Sequence, residues 1–213
     1  MPDVRGETGG EVQRGTLSVM LTSVYESRKD APLVAGLIAL HAPKAEVIVD
    51  TTYGGGRFWT REVIGIDRNP QRAHTLCADY TMLPFRDASV DVLAFDPPHI
   101  PDSGKPRQKA MGEQYTIVWG QHSIEQTMWG FVWEAVRVLK KNGIVIAKLS
   151  DQVERGKKRW QCRQFANMCE EAGLTVCDRC IKVRPRPMCQ PWTTQRHVWN
   201  RHSEFIVVRK GKC

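Results

Sequence analysis

Val47-Ile48-Val49-Asp50-Thr51-Thr52-Tyr53-Gly54-Gly55-Gly56 reads as the end of a short buried strand that closes on a carboxylate and runs into three glycines. Three similar segments follow it. Val63 to Asp67 is a second apolar run ending on an acid, Thr75 to Asp79 is a third, and Val90 to Asp96 is a fourth. Pro97-Pro98 halts the fourth because proline cannot donate to a β ladder. Upstream, a helix begins at Asp30 with Pro32 in its first turn and runs to His41, where Ala42-Pro43 stops it. Downstream, Ser123 and Gln126 form a capping box, and Met128, Phe131, Val132, Ala135, Val136 and Leu139 follow at helical spacing, with Lys140, Lys141 and Gly143 expected to close that helix. Ile144 to Leu149 is a fifth strand, Trp160 to Ala172 a further helix ended by Gly173, and Leu174 to Val183 and Ser203 to Arg209 two last strands. Alternation of strand and helix periods predicts βα units and a three-layer α/β domain with a mostly parallel sheet.

The 213 residues fit one core, and 41% hydrophobic content with seven Trp argues against a disordered chain. Residues 1–16 read as a flexible, polar N-terminal segment and 17–213 as a single domain. Residues 100–122 and 184–201 lack periodicity and read as functional loops. The longest apolar stretch, Ala31 to Ala42, falls short of the ~20 residues that span a bilayer, so neither anchor nor membrane partner is expected. A polar N-terminus unlike a signal or transit peptide leads to the expectation of a cytoplasmic protein. Seven scattered Cys, an odd number, are expected to be reduced thiols. The formal charge of +8 is uneven: residues 1–136 hold 13 Lys and Arg against 17 Asp and Glu, a net of −4, and residues 137–213 hold 18 against 6, a net of +12. Such a field suits a polyanion, nucleic acid first.

In open parallel sheets, ligands bind beyond the carboxyl ends of the strands. Asp67, 17 residues after Asp50, suits a carboxylate that accepts ribose hydroxyls. No Gly-Lys-Ser/Thr follows the glycines and no Gly-x-Gly-x-x-Gly is present, so neither phosphate-binding loop fits and the ligand reads as a nucleoside without a phosphate chain.

Asp96-Pro97-Pro98-His99 resembles motif IV of the S-adenosylmethionine-dependent amino-methyltransferases, Asp/Asn/Ser-Pro-Pro-aromatic. Residues 24–209 keep the family's order of features. Lys29-Asp30-Ala31-Pro32-Leu33 looks like the motif before the first strand, and Val47 to Gly56 like motif I. Asp67 matches the ribose-binding acid, Asp79-Tyr80 the pair that contacts adenine, Glu134 to Gly143 the lead into the fifth strand, and His202 to Lys210 the terminal strand. The resemblance implies a Rossmann-like class I methyltransferase fold with a seven-stranded, mostly parallel sheet. It implies S-adenosylmethionine as cofactor, held by Lys29, Asp50, Thr51, Tyr53, Gly54, Gly56, Asp67, Arg68, Asp79 and Tyr80. Catalysis falls to Asp96, Pro97, Pro98 and His99.

An exocyclic amine is a poor nucleophile because its lone pair is delocalised into the ring. A carboxylate at Asp96 and the carbonyl of Pro97 accepting its two N–H groups draw the nitrogen toward tetrahedral geometry and aim the lone pair. His99 departs from the usual Tyr, Phe or Trp, so a second stacking platform is expected from Trp119, Phe58 or Trp59, each also a candidate core residue. The helix that usually follows motif I is reduced to a turn or missing in Arg57 to Glu62. Lys105, Arg107, Lys109, Trp119, Arg184, Arg186, Arg196 and Arg201 are the expected substrate-binding residues. Arg155, Lys157, Lys158, Arg159 and Arg163 form a further basic set, with Trp192 and Trp199 interleaved among the later arginines.

The expected activity is N-methylation of a nucleic-acid base, DNA (N6-adenine or N4-cytosine) ahead of RNA. A protein glutamine amide or a silent nucleic-acid-binding module remain alternatives. Oligomeric state stays open. Cys177-x2-Cys180 followed by His197-x4-His202 has a zinc-like outline, but 177 and 180 fall on opposite faces of a strand, so no metal is expected.

Overall fold

A computed structural model describes residues 21–97, 124–154, 157–184, 197–198 and 200–213. In chain order the elements are β1 (Val24–Glu26), α1 (Ala31–His41), β2 (Ile48–Asp50), β3 (Ile64–Asp67), β4 (Leu76–Cys77), β5 (Val90–Phe95), α2 (Ile124–Val138), β6 (Leu139–Leu149), β7 (Gln152–Glu154), β8 (Lys157–Arg159), α3 (Gln161–Glu171), β9 (Thr175–Val183) and β10 (His202–Arg209). Eight strands form one sheet in the order β1-β9-β10-β6-β5-β2-β3-β4. Only β10 runs antiparallel to its neighbours, β6 and β9. The chain departs from β2 toward β3 and β4 on one side and reaches β5 and β6 on the other, so the order reverses between β2 and β5. That reversal opens a crevice at their carboxyl ends.

Along β6, Ile144 and Ile146 face one core cluster, with Leu33, Val34, Leu37 and Ile38 of α1. Val145 and Ala147 face the other, with Phe131, Val132 and Ala135 of α2 and Phe165 of α3. Both sheet faces are therefore buried, which is why β5 and β6 are nearly continuous apolar runs. Phe95 stacks on Phe131 with ring centroids 3.8 Å apart, locking α2 over the carboxyl end of β5.

The fold departs from the sequence expectation in four places. The sheet has eight strands, not seven, because the three-residue β1 pairs in parallel with the end of β9. Lys140, Lys141 and Gly143 do not close α2: the helix stops at Val138 and β6 begins at Leu139. There the pairing with β5 shifts register between Val90 and Val92, and Asn142 takes φ +66°. Gly143 allows this bulge, since a Cβ on it would stand 3.0 Å from the Lys140 carbonyl oxygen and 3.1 Å from that of Asp91. A hairpin, β7–β8, projects from the carboxyl end of β6. Finally, Cys177 forms a disulfide with Cys213, where reduced thiols were expected, because β9 and the segment after β10 lie side by side with Cα atoms 5.5 Å apart. No helix among the described residues is long and apolar enough to cross a membrane.

Candidate functional site

The ends of β2 and β5 bring two acids together. Asp50, buried at the end of β2, accepts the backbone N–H of Thr52 at 3.0 Å and the indole N–H of Trp59 at 2.6 Å. Burial pushes its carboxyl up to about 6, against the pull of the Trp59 and Thr52 donors, and the neighbouring Asp96 charge adds to the rise. The Thr52 hydroxyl accepts the backbone N–H of Asp96 at 2.7 Å. The Thr51 hydroxyl and N–H are both spent on the Ala94 carbonyl, so this threonine fastens β2 to β5.

Gly54 takes φ +54° and donates its N–H to Asp67 at 2.9 Å. The other Asp67 oxygen accepts the N–H of Asn69 at 2.8 Å, and each oxygen keeps a lone pair for a hydroxyl. The Tyr53 ring lies in a slot that only two glycines permit: a Cβ on Gly56 would come within 2.6 Å of its hydroxyl and one on Gly65 within 2.5 Å of its ring. Its far face stacks on His74 at 4.9 Å. Beyond β4, Asp79 accepts from the Thr81 N–H and hydroxyl and pairs with Arg68 at 3.3 Å. The Tyr80 ring packs edge-on against Phe95 and Phe131. Burial holds its phenol above the usual range.

Two side chains that the sequence did not single out, Lys148 and Lys182, gather at this end of the sheet around Asp30. Lys29, expected to touch the cofactor, is exposed. Its neighbour Asp30 turns inward from the first turn of α1. Asp30 accepts from Lys148 of β6 at 3.0 Å and pairs with Lys182 of β9. Lys148 also reaches Asp96 at 3.1 Å and lies 5.4 Å above the Phe58 ring. Trp59, a candidate stacking or core residue in the sequence, has its indole N–H committed to Asp50. Phe58 is 5% exposed and packs on Phe205, so the core reading holds for it in place of stacking. Residues 57–62 form a turn and a bend with no helix, as the shortened spacing implied.

Among the expected substrate residues, Arg184 and Arg201 meet at the base of the β9–β10 connection. The Arg184 N–H donates to the Arg201 carbonyl at 2.6 Å, and the Arg184 guanidinium reaches the Ser203 hydroxyl. Pro98, His99, Lys105, Arg107, Lys109, Trp119, Arg186 and Arg196, with Arg155, Trp192 and Trp199, lie outside the described residues. Lys157, Lys158 and Arg159 fall on β8, which pairs with β7 just beyond the carboxyl end of β6, and Arg163 falls in the first turn of α3.

The zinc outline is not assembled. Cys177 is in its disulfide and the Cys180 thiol donates to the Thr22 carbonyl. A different group, Asp151, Cys162 and Glu204, comes together on the α3 side of the sheet. Asp151 accepts the backbone N–H of Cys162 at 3.1 Å. Arg179 clamps Glu204 with contacts of 2.6 and 2.8 Å, and burial holds the Cys162 thiol protonated.

No protein-family model matches the chain, and no curated protein matches it in sequence. Solved structures do. A SAM-dependent methyltransferase of Methanosarcina mazei superposes with TM-score 0.52 at 13% identity, covering 82% of this chain and 96% of its own. A candidate methyltransferase of Bacillus halodurans gives TM-score 0.50 at 15% identity, covering 84% and 99%. TTHA0409, a candidate DNA modification methylase of Thermus thermophilus, gives 0.41 at 14% identity over 61% of this chain, which spans about half (48%) of that protein's length. Together with the order of the sheet, the likenesses to the Methanosarcina mazei and Bacillus halodurans proteins define a Rossmann-like class I methyltransferase fold.

Proposed function

We propose that the protein is an S-adenosylmethionine-dependent N-methyltransferase of a base amine in nucleic acid, with DNA favoured over RNA. The observation that carries this reading is the pair of acids, Asp50 and Asp96, at the reversal between β2 and β5, followed by Asp67 and Asp79 at the next two strand ends. A buried carboxylate raised by desolvation fits a cationic ligand, because a positive charge brought to Asp50 relieves the cost of ionising it. Asp67 offers acceptors to a ribose, and Asp79 with Arg68 offers an acceptor and donors to a base edge. Bound here, S-adenosylmethionine supplies an electrophilic methyl group on sulfur.

The chain's own residues do the rest. Asp96 and the Pro97 carbonyl accept the two N–H groups of the amine and direct its lone pair at the methyl carbon. Attack by the amine would form the N–C bond as the S–C electron pair stays on sulfur, and the resulting ammonium would pass its extra proton to water. The +12 C-terminal third and the basic residues of β8 and α3 supply the surface for a polyanionic strand. Recognition is assigned to residues 100–122 and 184–201 of a single domain that begins near residue 17.

The test is incubation with labelled cofactor and separate DNA and RNA pools, followed by nucleoside mass analysis. N6-methyladenine or N4-methylcytosine in DNA is the expected product, and Asp96→Ala should abolish it while cofactor affinity holds. Retained activity in Asp96→Ala, or no cofactor binding by the unaltered protein, would overturn the reading.

A further inference from the structure

Four side chains from four elements form one alternating chain of charge. Lys182 of β9 meets one oxygen of Asp30 at the start of α1, Lys148 of β6 meets the other at 3.0 Å, and Lys148 reaches Asp96 at the end of β5 at 3.1 Å. Lys182, Asp30 and Lys148 are 7%, 13% and 14% exposed, whereas Asp96 is 29% exposed, so the row is most accessible at Asp96. Asp30 makes no side-chain cap on its own helix. Its carboxylate is instead given to the two lysines.

We propose that Lys148, held in place by Asp30 and Lys182, is a positioning residue that orients and keeps ionised the Asp96 carboxylate. The proposal rests on the methyl-transfer reading for its consequence but on the ion-pair geometry for its substance. A terminal Asp carboxyl rotates in a broad well, so a fixed donor on one oxygen is what sets its plane. An ionised carboxylate only accepts hydrogen bonds, and a protonated one would present a donor to an amine that needs acceptors. Lys148 serves both ends. Burial works against its charge, but Asp96 and Asp30 outweigh burial and hold its ammonium above the usual range. Asp30 and Lys182 are needed because a lone buried ammonium is expensive, and the alternating row leaves each charge with an opposite neighbour. Among the described residues, Asp50 from β2 also faces Asp96 and repels it, which makes the Lys148 contact more necessary.

The test compares Lys148→Met, Lys148→Arg and Asp30→Asn with the unaltered protein in three readouts: S-adenosylmethionine affinity by calorimetry, the pH profile of kcat for methyl transfer, and titration of the Asp96 carboxyl by 13C NMR. Lys148→Met should lower kcat about 100-fold near neutrality, the scale of a misplaced reacting group, while cofactor affinity moves less than about threefold. Its acid limb should move to higher pH, and Lys148→Arg should restore at least about a tenth of the rate, since the charge and a donor return. If Lys148→Met folds poorly, the charge-balanced Asp30→Asn/Lys148→Met variant carries the same expectation. An unchanged kcat and acid limb in Lys148→Met, or an Asp96 titration that does not move upward, would overturn the proposal. An unaltered protein that methylates neither DNA nor RNA would sink the methyltransferase reading, and the NMR titration would still decide the role of Lys148.

Discussion

Thr52 joins the two site acids: its hydroxyl accepts the backbone N–H of Asp96 at 2.7 Å, and its own backbone N–H donates to the Asp50 carboxylate at 3.0 Å. One residue thereby sets the end of β5 against the end of β2. Thr52→Val keeps the shape and the backbone bond to Asp50 but removes the hydroxyl, leaving the Asp96 N–H without its acceptor, which costs about 1–3 kcal/mol where water cannot replace it. Thermal unfolding should register that loss, and kcat should fall together with it. Thr52→Ser, which retains the hydroxyl, should stay near the unaltered protein in both. A Thr52→Val variant with unchanged stability and rate would refute the linking role.

Asp50 makes stability and ligand affinity depend on pH in opposite senses. Its folded-state pKa of about 6 lies above the ordinary aspartate value of 3.8, so the folded chain binds the extra proton between those values and loses stability as pH rises through that window. At neutral pH the ionised, buried carboxylate costs up to about 3 kcal/mol. Asp50→Asn should therefore raise Tm at pH 7.5, and the gain should vanish near pH 4. Binding a cation is the reverse: S-adenosylmethionine affinity should weaken by up to about tenfold per pH unit below 6, because the proton must first leave. Calorimetry across pH 5–8 checks the second expectation, and a flat profile would contradict it.

Much of the strand side of this site is legible from residue order. β2, β3 and β5 are short apolar runs buried on both faces and each points at its acid, so Asp50, Asp67 and Asp96 could be placed from local pattern. The lysine side is not legible, because Lys148 joins Asp96 across 52 positions and Asp30 across 118, and Lys182 joins Asp30 across 152. No periodicity records a contact over such distances. The same limit hides β1, whose three residues become a strand only against β9, and the Cys177–Cys213 bond, which needs β9 and the C-terminal segment already packed. Lys140-Lys141-Asn142-Gly143 misleads for another reason: a basic run before glycine is a good helix stop, and here the same residues form a bulge.

Arg137, by contrast, is a local organiser. Its guanidinium donates to both Glu134 oxygens, to Asp87, and to the carbonyls of Leu83 and Phe85, pinning the segment between β4 and β5 to α2. The Glu134 carboxyl is held below its usual range by Arg137 first, and its other oxygen contact is the Leu83 N–H at 2.6 Å. Lys at this position has no planar fork to fill five acceptors. Arg137→Lys should lose about 2 kcal/mol. That loss should appear as a Tm lower by roughly 4–8 °C for a chain of this size. Because that segment leads out of Asp79 and Tyr80, cofactor affinity should weaken too. An Arg137→Lys protein with unchanged Tm would show that the network adds nothing to stability.

The basic wing can be separated from the chemistry. Lys157 and Arg159 on β8 and Arg163 on α3 are exposed, and the hairpin that carries the first two leaves the sheet at the carboxyl end of β6, just after Lys148. None of the three contacts Asp50, Asp67 or Asp96 in the hydrogen bonds and ion pairs described above. If they neutralise phosphates, each bound phosphate contributes about 0.9 to the slope of log affinity against log salt for a duplex. Replacing all three by Ala should therefore reduce that slope by about 2–3, weaken binding across sequences alike, and leave S-adenosylmethionine affinity unchanged. A duplex affinity with the same salt slope in the triple variant would move the polyanion surface elsewhere, toward Arg184 and Arg201 at the base of the β9–β10 connection.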